Sequence, residues 1–87
     1  MNLYKITITR SASKELKKLP RKVNNQLIPL IKGLAIDPRP ASSSKLRGNN
    51  QYWRIRSGNY RIIYSIDDHV QIIDIIKIGH RKDVYRD

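Results

Sequence analysis

Three side chains suited to phosphate chemistry lie within six residues near the end of the 87-residue chain: His80, Arg81 and Tyr85. His80 has an unperturbed pKa near neutrality, so it suits proton transfer. The Arg81 guanidinium binds phosphate well but is too basic to exchange protons near neutral pH. Attack of an RNA 2′-hydroxyl on its own phosphate needs a base, an acid and cations around the phosphorus. The segment therefore indicates metal-free phosphodiester cleavage.

Other catalytic chemistries lack the residues or the spacing that they need. The two histidines, His69 and His80, have no partner at metal-ligand spacing, and the chain contains no cysteine. We therefore predict no metal ion and no small-molecule cofactor. A structural role stays open for each tail residue, with His80 bonded to a backbone carbonyl and Tyr85 packed against a sheet edge.

Residues 45–61 form a basic stretch that contains five cations, two tyrosines and the only tryptophan of the chain. No acidic residue occurs in residues 38–66. Strand alternation predicts that Arg54 and Arg56 share one face of a sheet and that Arg61 joins them. This face is predicted to stay partly open and to bind phosphates and unstacked bases. Ion pairs from these arginines to Asp74 or Asp83 are the alternative.

The net charge of +11 is concentrated in the first three quarters of the chain. Residues 1–66 contain fourteen Lys or Arg against two acids, whereas residues 67–87 contain four against five. Such a balance favours a nucleic acid, an anionic membrane surface or an acidic protein as the partner. No membrane-spanning segment or leader peptide is evident, so we expect a cytoplasmic protein.

The hydrophobic pattern predicts a single α+β domain over residues 1–87. Helices are expected over residues 11–19, capped by Ser11 or Thr9, and over residues 21–36, kinked at Pro29. Residues 41–44 are predicted to be a mobile linker. Strands are expected over residues 2–9, 52–56, 60–66 and 70–78, the last one covered on both faces and ended by Gly79. The helical hairpin should pack on one face of a small, twisted, mainly antiparallel sheet.

Three motifs in this order resemble the RelE/ParE superfamily of bacterial toxins. They are KLRG at residues 45–48, YWRIRSGNYRIIY at residues 52–64 and IGHRKDVY at residues 78–85. The resemblance covers nearly the whole chain. It implies the α+β fold described above and a type II toxin-antitoxin system, in which an acidic-leaning antitoxin protein wraps the toxin.

The superfamily has two branches with different targets. RelE-like toxins cleave mRNA on the ribosome without metal, and ParE-like toxins inhibit DNA gyrase. The RelE-like pattern is matched by Arg61, Arg81 and Tyr85, which implies that the arginines steady the phosphate and that Tyr85 orients or deprotonates the 2′-hydroxyl, or stacks on a base. RelE-like strands carry catalytic lysines where this chain has Arg54, so proton transfer would fall to His80 or Tyr85. The residues implied to grip mRNA and ribosomal RNA are Lys45, Arg47, Arg54 and Arg56.

Three functions are therefore open. The first is a ribosome-dependent mRNA endoribonuclease, which the match at Arg61, Arg81 and Tyr85 favours. The second is a ParE-like gyrase inhibitor that acts by protein binding. The third is an RNA-binding module without catalytic activity.

Overall fold

The computed structural model describes residues 3–48 and 51–80, which form a five-stranded sheet with two helices on one face. The strand order is β1-β5-β4-β3-β2. Strands β1 and β5 pair in parallel and the other neighbours pair antiparallel, so the predicted α+β class and mainly antiparallel sheet are confirmed. The elements are β1 Lys5–Ile8, α1 Arg10–Lys18, α2 Arg21–Leu34, β2 Ser43–Lys45, β3 Tyr52–Ser57, β4 Tyr60–Asp67 and β5 Ile72–His80.

Thr9 joins the start of α1 to the sheet. Its Oγ1 accepts a hydrogen bond from the Ala12 backbone N–H at 3.1 Å, which caps the helix. The same hydroxyl donates to the Ile76 carbonyl of β5 at 3.0 Å. Of the two caps considered from the sequence, Thr9 is therefore the one used. Because one side chain serves the helix and the strand, it fixes where α1 leaves the sheet.

We expect Thr9→Val to lower the free energy of unfolding by about 1–2 kcal/mol, because an isosteric side chain without the hydroxyl loses both bonds. Chemical denaturation of the purified protein measures the change. Ser11→Ala is the matched control at an exposed position within α1, and it should change the unfolding free energy by less than about 0.5 kcal/mol. Equal effects of the two variants would contradict Thr9 as the cap.

Helix α2 supplies most of the helical contribution to the core. Its buried side chains are Leu27, Ile31 and Leu34, at the spacing of one helical face. Pro29 lies inside the helix, on its exposed side, so the carbonyl of Asn25 that loses its partner is on the solvent side. The helix ends at Leu34, two residues earlier than predicted, because the chain turns with 3₁₀-type bonds such as the one from the Ile36 N–H to the Gly33 carbonyl.

The helix-facing side of the sheet forms the rest of the core. Its fully buried side chains are Ile55, Ile62, Tyr64, Ile73, Ile75 and Ile78. A register shift, in which Ile63 pairs with Lys77 and Tyr64 with Ile75, leaves one extra residue in β5 and lets Ile73, Ile75 and Ile78 all face this side. The prediction that strand β5 is covered on both faces is wrong. On the face away from the helices, Asp74 is only half-buried and Lys77 is exposed.

The predicted linker and both predicted ends of the last strand are also wrong. The supposed linker over residues 41–44 ends in strand β2, which pairs antiparallel with β3. A backbone ladder orders it, supported by Ser43, whose N–H and hydroxyl both donate to the Pro40 carbonyl. Strand β5 begins after Gln71, whose φ of +58° interrupts the extended chain, and it continues through Gly79 to His80. Gly79 stays in the strand because its backbone pairs with Arg61 of β4.

Candidate nucleic-acid interface

A tight hairpin between β3 and β4 places three arginines on the face of the sheet away from the helices. Gly58 is the first of two loop residues and has φ +58°, as type II′ hairpin turns require. The resulting register pairs Arg56 with Arg61 and Arg54 with Ile63. Cross-strand partners point to the same face, so Arg54, Arg56 and Arg61 lie together, and the predicted alternation is confirmed.

The pairing of Arg56 with Arg61 places two positive charges directly opposite each other. Like charges at such positions destabilise a sheet, since their Cβ atoms are only about 5 Å apart. Arg54 is diagonal to Arg61 across the same two strands and adds a third guanidinium. Three cationic side chains at neighbouring positions of one sheet face concentrate positive potential there, which favours the binding of a phosphate group.

The three arginines differ strongly in exposure. Arg56 is exposed and Arg54 is half-buried, whereas Arg61 is only 4% exposed. The prediction that Arg61 lines an open face is therefore wrong. Arg61 belongs to the central strand of the sheet, and its neighbour Ile63 on the same face is also buried. Burial removes water from the guanidinium, which strengthens its interaction with any charge that reaches it.

The other predicted RNA-binding residues are divided between the two faces. Ser44 pairs with Arg54 and accepts a hydrogen bond from its Nη2 at 3.3 Å, so β2 helps to hold that arginine. Lys45 pairs with Trp53 and therefore points to the helix side. Arg47 is exposed in the turn after β2. The structure thus groups Arg54 with Arg56 and leaves Lys45 and Arg47 at the edge of the sheet.

The predicted catalytic residues are not all brought together. His80 pairs with Tyr60, and their rings meet edge-on with centroids 5.5 Å apart. Strand alternation places this pair on the face opposite Arg61. Arg81 and Tyr85 lie outside the described residues, so their proposed roles stay predictions.

The alternative of an ion pair to Asp74 does not apply to Arg54 or Arg56. Asp74 accepts a hydrogen bond from Thr7 Oγ1 at 2.8 Å, between β1 and β5. Within the described ranges, neither Arg54 nor Arg56 forms an ion pair with another described residue. Asp83, the other acid that the sequence offered as a partner, lies outside the described residues.

The opposite end of the sheet has a charge cluster that the sequence analysis missed. Arg39 forms a two-pronged ion pair with Asp68, with N···O distances of 3.2 and 2.8 Å, and its Cζ lies 5.2 Å from the centre of the Trp53 ring. The Tyr4 hydroxyl donates to the same carboxylate at 2.7 Å. These bonds hold the connection between α2 and β2 against the sheet. The sequence feature that could have indicated this cluster is the position of Arg39 between Pro38 and Pro40, which restrict the backbone on both sides of it.

The Arg39–Asp68 pair makes stability depend on pH. Hydrogen bonds from Arg39 and Tyr4 lower the pKa of Asp68 below its ordinary 3.8. The carboxylate therefore stabilises the fold fully above the unfolded-state pKa, and this contribution is lost as the pH falls through the folded-state pKa. The bond to Asp68 also raises the pKa of Tyr4, because an ionised phenol cannot donate to a carboxylate.

We expect Asp68→Asn to unfold more easily than the wild type at neutral pH and to approach it in acid. The difference in unfolding free energy should be constant above about pH 5 and should shrink below about pH 4. Urea denaturation across this range measures it. Asp67→Asn is the neighbouring control: its carboxylate bonds only to backbone N–H groups in the described structure. A difference for Asp68→Asn that grows in acid would contradict the assignment.

Other site types find little support in the part of the chain that the structure describes. An open cleft of about 450 Å³ is lined by Gln51, Asp68, His69 and three neighbouring residues, at the far end of the sheet from the arginines. No group of three metal-ligating side chains occurs among residues 3–48 and 51–80. None of the helices described is both long and apolar enough to cross a membrane.

A family model described as the ParE toxin of a type II toxin-antitoxin system, parDE, matches residues 6–85. The chain belongs to this toxin family. It is 30% identical to Toxin RelG of Mycobacterium tuberculosis over 84 residues, which cover 95% of this chain and 97% of the relative. Toxin RelE of the same organism is also 30% identical over 84 residues, which cover 95% of this chain and 87% of that relative. The predicted membership of the RelE/ParE superfamily is confirmed.

The solved structures that resemble this chain include RelE toxins of the same family. The toxin matches a chain of the archaeal RelE-RelB complex from Pyrococcus horikoshii with a TM-score of 0.81 and 28% identity, covering 91% of this chain and 96% of that chain. It matches a chain of the intact E. coli RelBE toxin-antitoxin complex with a TM-score of 0.78 and 30% identity, covering 88% and 95%. The protein is therefore a type II toxin with the RelE fold.

Proposed function

We propose that this RelE/ParE toxin is an endoribonuclease that cleaves mRNA on the ribosome without a metal ion and thereby blocks translation. The observation that carries the proposal is the grouping of Arg54, Arg56 and Arg61 on one sheet face. The register pairs Arg56 with Arg61 and puts Arg54 diagonal to Arg61, and guanidinium groups on one sheet face suit the binding of phosphates. Relatives named RelE and RelG add support for the RelE-like branch over the ParE-like one.

The proposed reaction needs no external nucleophile. A base removes the proton of the RNA 2′-hydroxyl, the 2′-oxygen bonds to the adjacent phosphorus, and the bond from phosphorus to the 5′-oxygen breaks. A proton is delivered to the leaving 5′-oxygen. The products are a 2′,3′-cyclic phosphate and a 5′-hydroxyl end. Extra negative charge on the phosphoryl oxygens at the transition state is what nearby cations stabilise.

Roles follow from residue chemistry and from the faces that residues occupy. Arg61 and Arg81 stabilise the charged phosphorus, and Tyr85 orients or deprotonates the 2′-hydroxyl, or stacks on a base. Arg54 and Arg56, with Lys45 and Arg47 at the sheet edge, hold the RNA backbone. Because His80 contacts Tyr60 on the other face, we expect it to position the strand next to Arg61 rather than to touch the phosphate.

The proposed partners are mRNA, the ribosome and an acidic antitoxin, all in the cytoplasm. Similar toxins are bound to a partner in the RelE-RelB complex from Pyrococcus horikoshii and in the E. coli RelBE toxin-antitoxin complex. For this chain, an acidic antitoxin that covers the arginine face would neutralise its charge and exclude RNA. No metal or small-molecule cofactor enters the proposed reaction.

Induced expression of the wild type beside Arg81→Ala tests the function in cells. Primer extension on one abundant transcript, compared with the same transcript lacking a start codon, locates the cuts. We expect discrete cuts in the translated transcript with the wild type alone. Arg81→Ala should stop both the cuts and the growth inhibition.

The same cultures separate the alternatives. Growth inhibition with intact transcripts, DNA breaks and an induced SOS response would identify a gyrase inhibitor and overturn the proposal. RNA binding that weakens with salt, without cuts or growth inhibition, would identify a non-catalytic RNA-binding module.

A further inference from the structure

The helical hairpin carries a second cluster of cations on the side away from the sheet. All six of its members are exposed in the structure. They come from both helices and from the short connection between them, and we call them the helical basic face. Its residues are Arg10, Lys14, Lys17, Lys18, Arg21 and Lys22.

Helical geometry places the α1 members on one side. At 3.6 residues per turn, the four α1 cations fall within an arc of about 100°, opposite the side that buries Ala12 and Leu16 against the core. Arg10 and Lys14 are one turn apart, as are Lys14 and Lys18, which is about 6 Å along the axis. This distance is of the same order as that between successive phosphates on an RNA strand.

The arrangement is unfavourable for the isolated helices. Neither helix has an acidic residue in its first turn, where the positive end of the helix dipole would favour one. Arg10 starts α1, and Arg21 and Lys22 start α2, so these cations are at the positive ends. The one-turn pairs of α1 also repel each other. A bound polyanion would relieve both effects, whereas helix stability alone explains only Lys17 and Lys18 at the negative end of α1.

We propose that the helical basic face is a second RNA-binding site, which holds the sugar-phosphate backbone of structured, A-form RNA. The inference rests on the proposed function in taking RNA as the partner. Residues 5–51 contain no aromatic side chain, so this face can contact phosphates but has no aromatic ring on which bases could stack. The arginines of the sheet face the opposite side, which they share with Tyr52. The toxin is thus built to lie between two RNA segments, with single-stranded mRNA against the sheet and folded RNA against the helices.

RNA fits this face better than an acidic protein does. Specific protein interfaces have an apolar centre that excludes water. Among the described residues, the large apolar side chains that are exposed are Leu3, Ile8, Ile28, Ile36 and Val70. None of them lies between Arg10 and Lys22. A surface of cations without apolar anchors is typical of backbone recognition of a nucleic acid.

Binding of a short blunt-ended RNA duplex by the purified full-length chain tests the proposal, because a duplex offers phosphates and no unstacked bases. The affinity is measured over a series of salt concentrations, and log K is plotted against log salt. Lys14→Gln with Lys18→Gln should reduce the steepness of this plot by about 1.4–1.8, since each lost phosphate contact removes about 0.7–0.9. Lys5→Gln with Lys77→Gln removes the same charge from exposed positions on the sheet and should leave the steepness nearly unchanged.

Each outcome decides the proposal. Equal loss of steepness in both double variants would show a general effect of net charge and overturn it. An unchanged duplex plot for the helical variant, with weaker binding to polyglutamate, would assign the face to an acidic protein and also overturn it. A wild type that cuts no transcript but shows the expected difference between the variants would remove the proposed nuclease function and leave the helical RNA site supported.

Discussion

Arg61→Ala should abolish growth inhibition and lower the rate of mRNA cleavage on the ribosome by about 10²–10³-fold, because the variant loses a cation that, in the proposed reaction, stabilises the extra charge on the phosphoryl oxygens. Arg61 is buried beside Ile63 and directly opposite Arg56, so its guanidinium acts in surroundings poor in water. Cleavage of a defined, translated mRNA by the purified variant, followed over time, measures the effect.

Two further variants make the Arg61 result interpretable. Lys77 is an exposed residue of the neighbouring strand β5, on the same face of the sheet as Arg61. Lys77→Ala removes one charge from that face and should leave the rate within about twofold of the wild type. Arg61→Lys keeps the charge but not the planar fork, so its rate should lie between those of the wild type and Arg61→Ala. A thermal unfolding curve confirms that each variant is folded. A folded Arg61→Ala variant that cleaves as fast as Lys77→Ala would exclude Arg61 from catalysis.

Leu27→Ala should lower the free energy of unfolding by about 2–5 kcal/mol, because it leaves a cavity between α2 and the sheet. Leu27 is fully buried and packs in the cluster that includes Ile62, Tyr64 and Ile75. Urea denaturation measures the loss. For a domain of this size, the loss is a large share of the total stability, so the folded fraction should fall markedly on warming.

The next residue of the same helix is the control. Ile28 is 37% exposed, so Ile28→Ala removes a comparable side chain from the solvent side of α2. We expect its unfolding free energy to stay within about 1 kcal/mol of the wild type. Equal destabilisation by the two variants would mean that α2 does not pack on the sheet through the face that contains Leu27.

Local patterns predicted the framework of the fold. The stripe of α2 and the alternation of β3 placed Leu27 and Ile55 in the core and Arg54 on the other face, as observed. Strand β2 was missed because its serines lack the β-branched and aromatic side chains that indicate strands. Its order comes from pairing with β3, which is a tertiary effect. Lys45 was consequently grouped with arginines from which it points away.

Properties that depend on neighbours distant in sequence were not predictable. Alternation assigns Arg61 to a face, but its burial depends on its place in the centre of the sheet. The ion pair between Arg39 and Asp68 spans 29 positions and forms because the connection after α2 passes the end of β4. The sequence analysis assigned His80 to the same site as Arg61 only because a histidine side chain suits proton transfer, not because of its position in the fold. The extension of β5 through Gly79 is what places it on the other face.

The chemical nature of the RNA ends is the most direct test of the proposed reaction. Ribosomes programmed with a defined mRNA are incubated with the purified toxin, and the downstream fragment is treated with polynucleotide kinase and ATP labelled on its γ-phosphate, with or without prior phosphatase. Attack by the 2′-hydroxyl predicts a downstream fragment that accepts label directly, because its 5′ end is a free hydroxyl, and an upstream fragment that ends in a 2′,3′-cyclic phosphate. A downstream fragment that accepts label only after phosphatase has a 5′-phosphate, which would contradict attack by the 2′-hydroxyl.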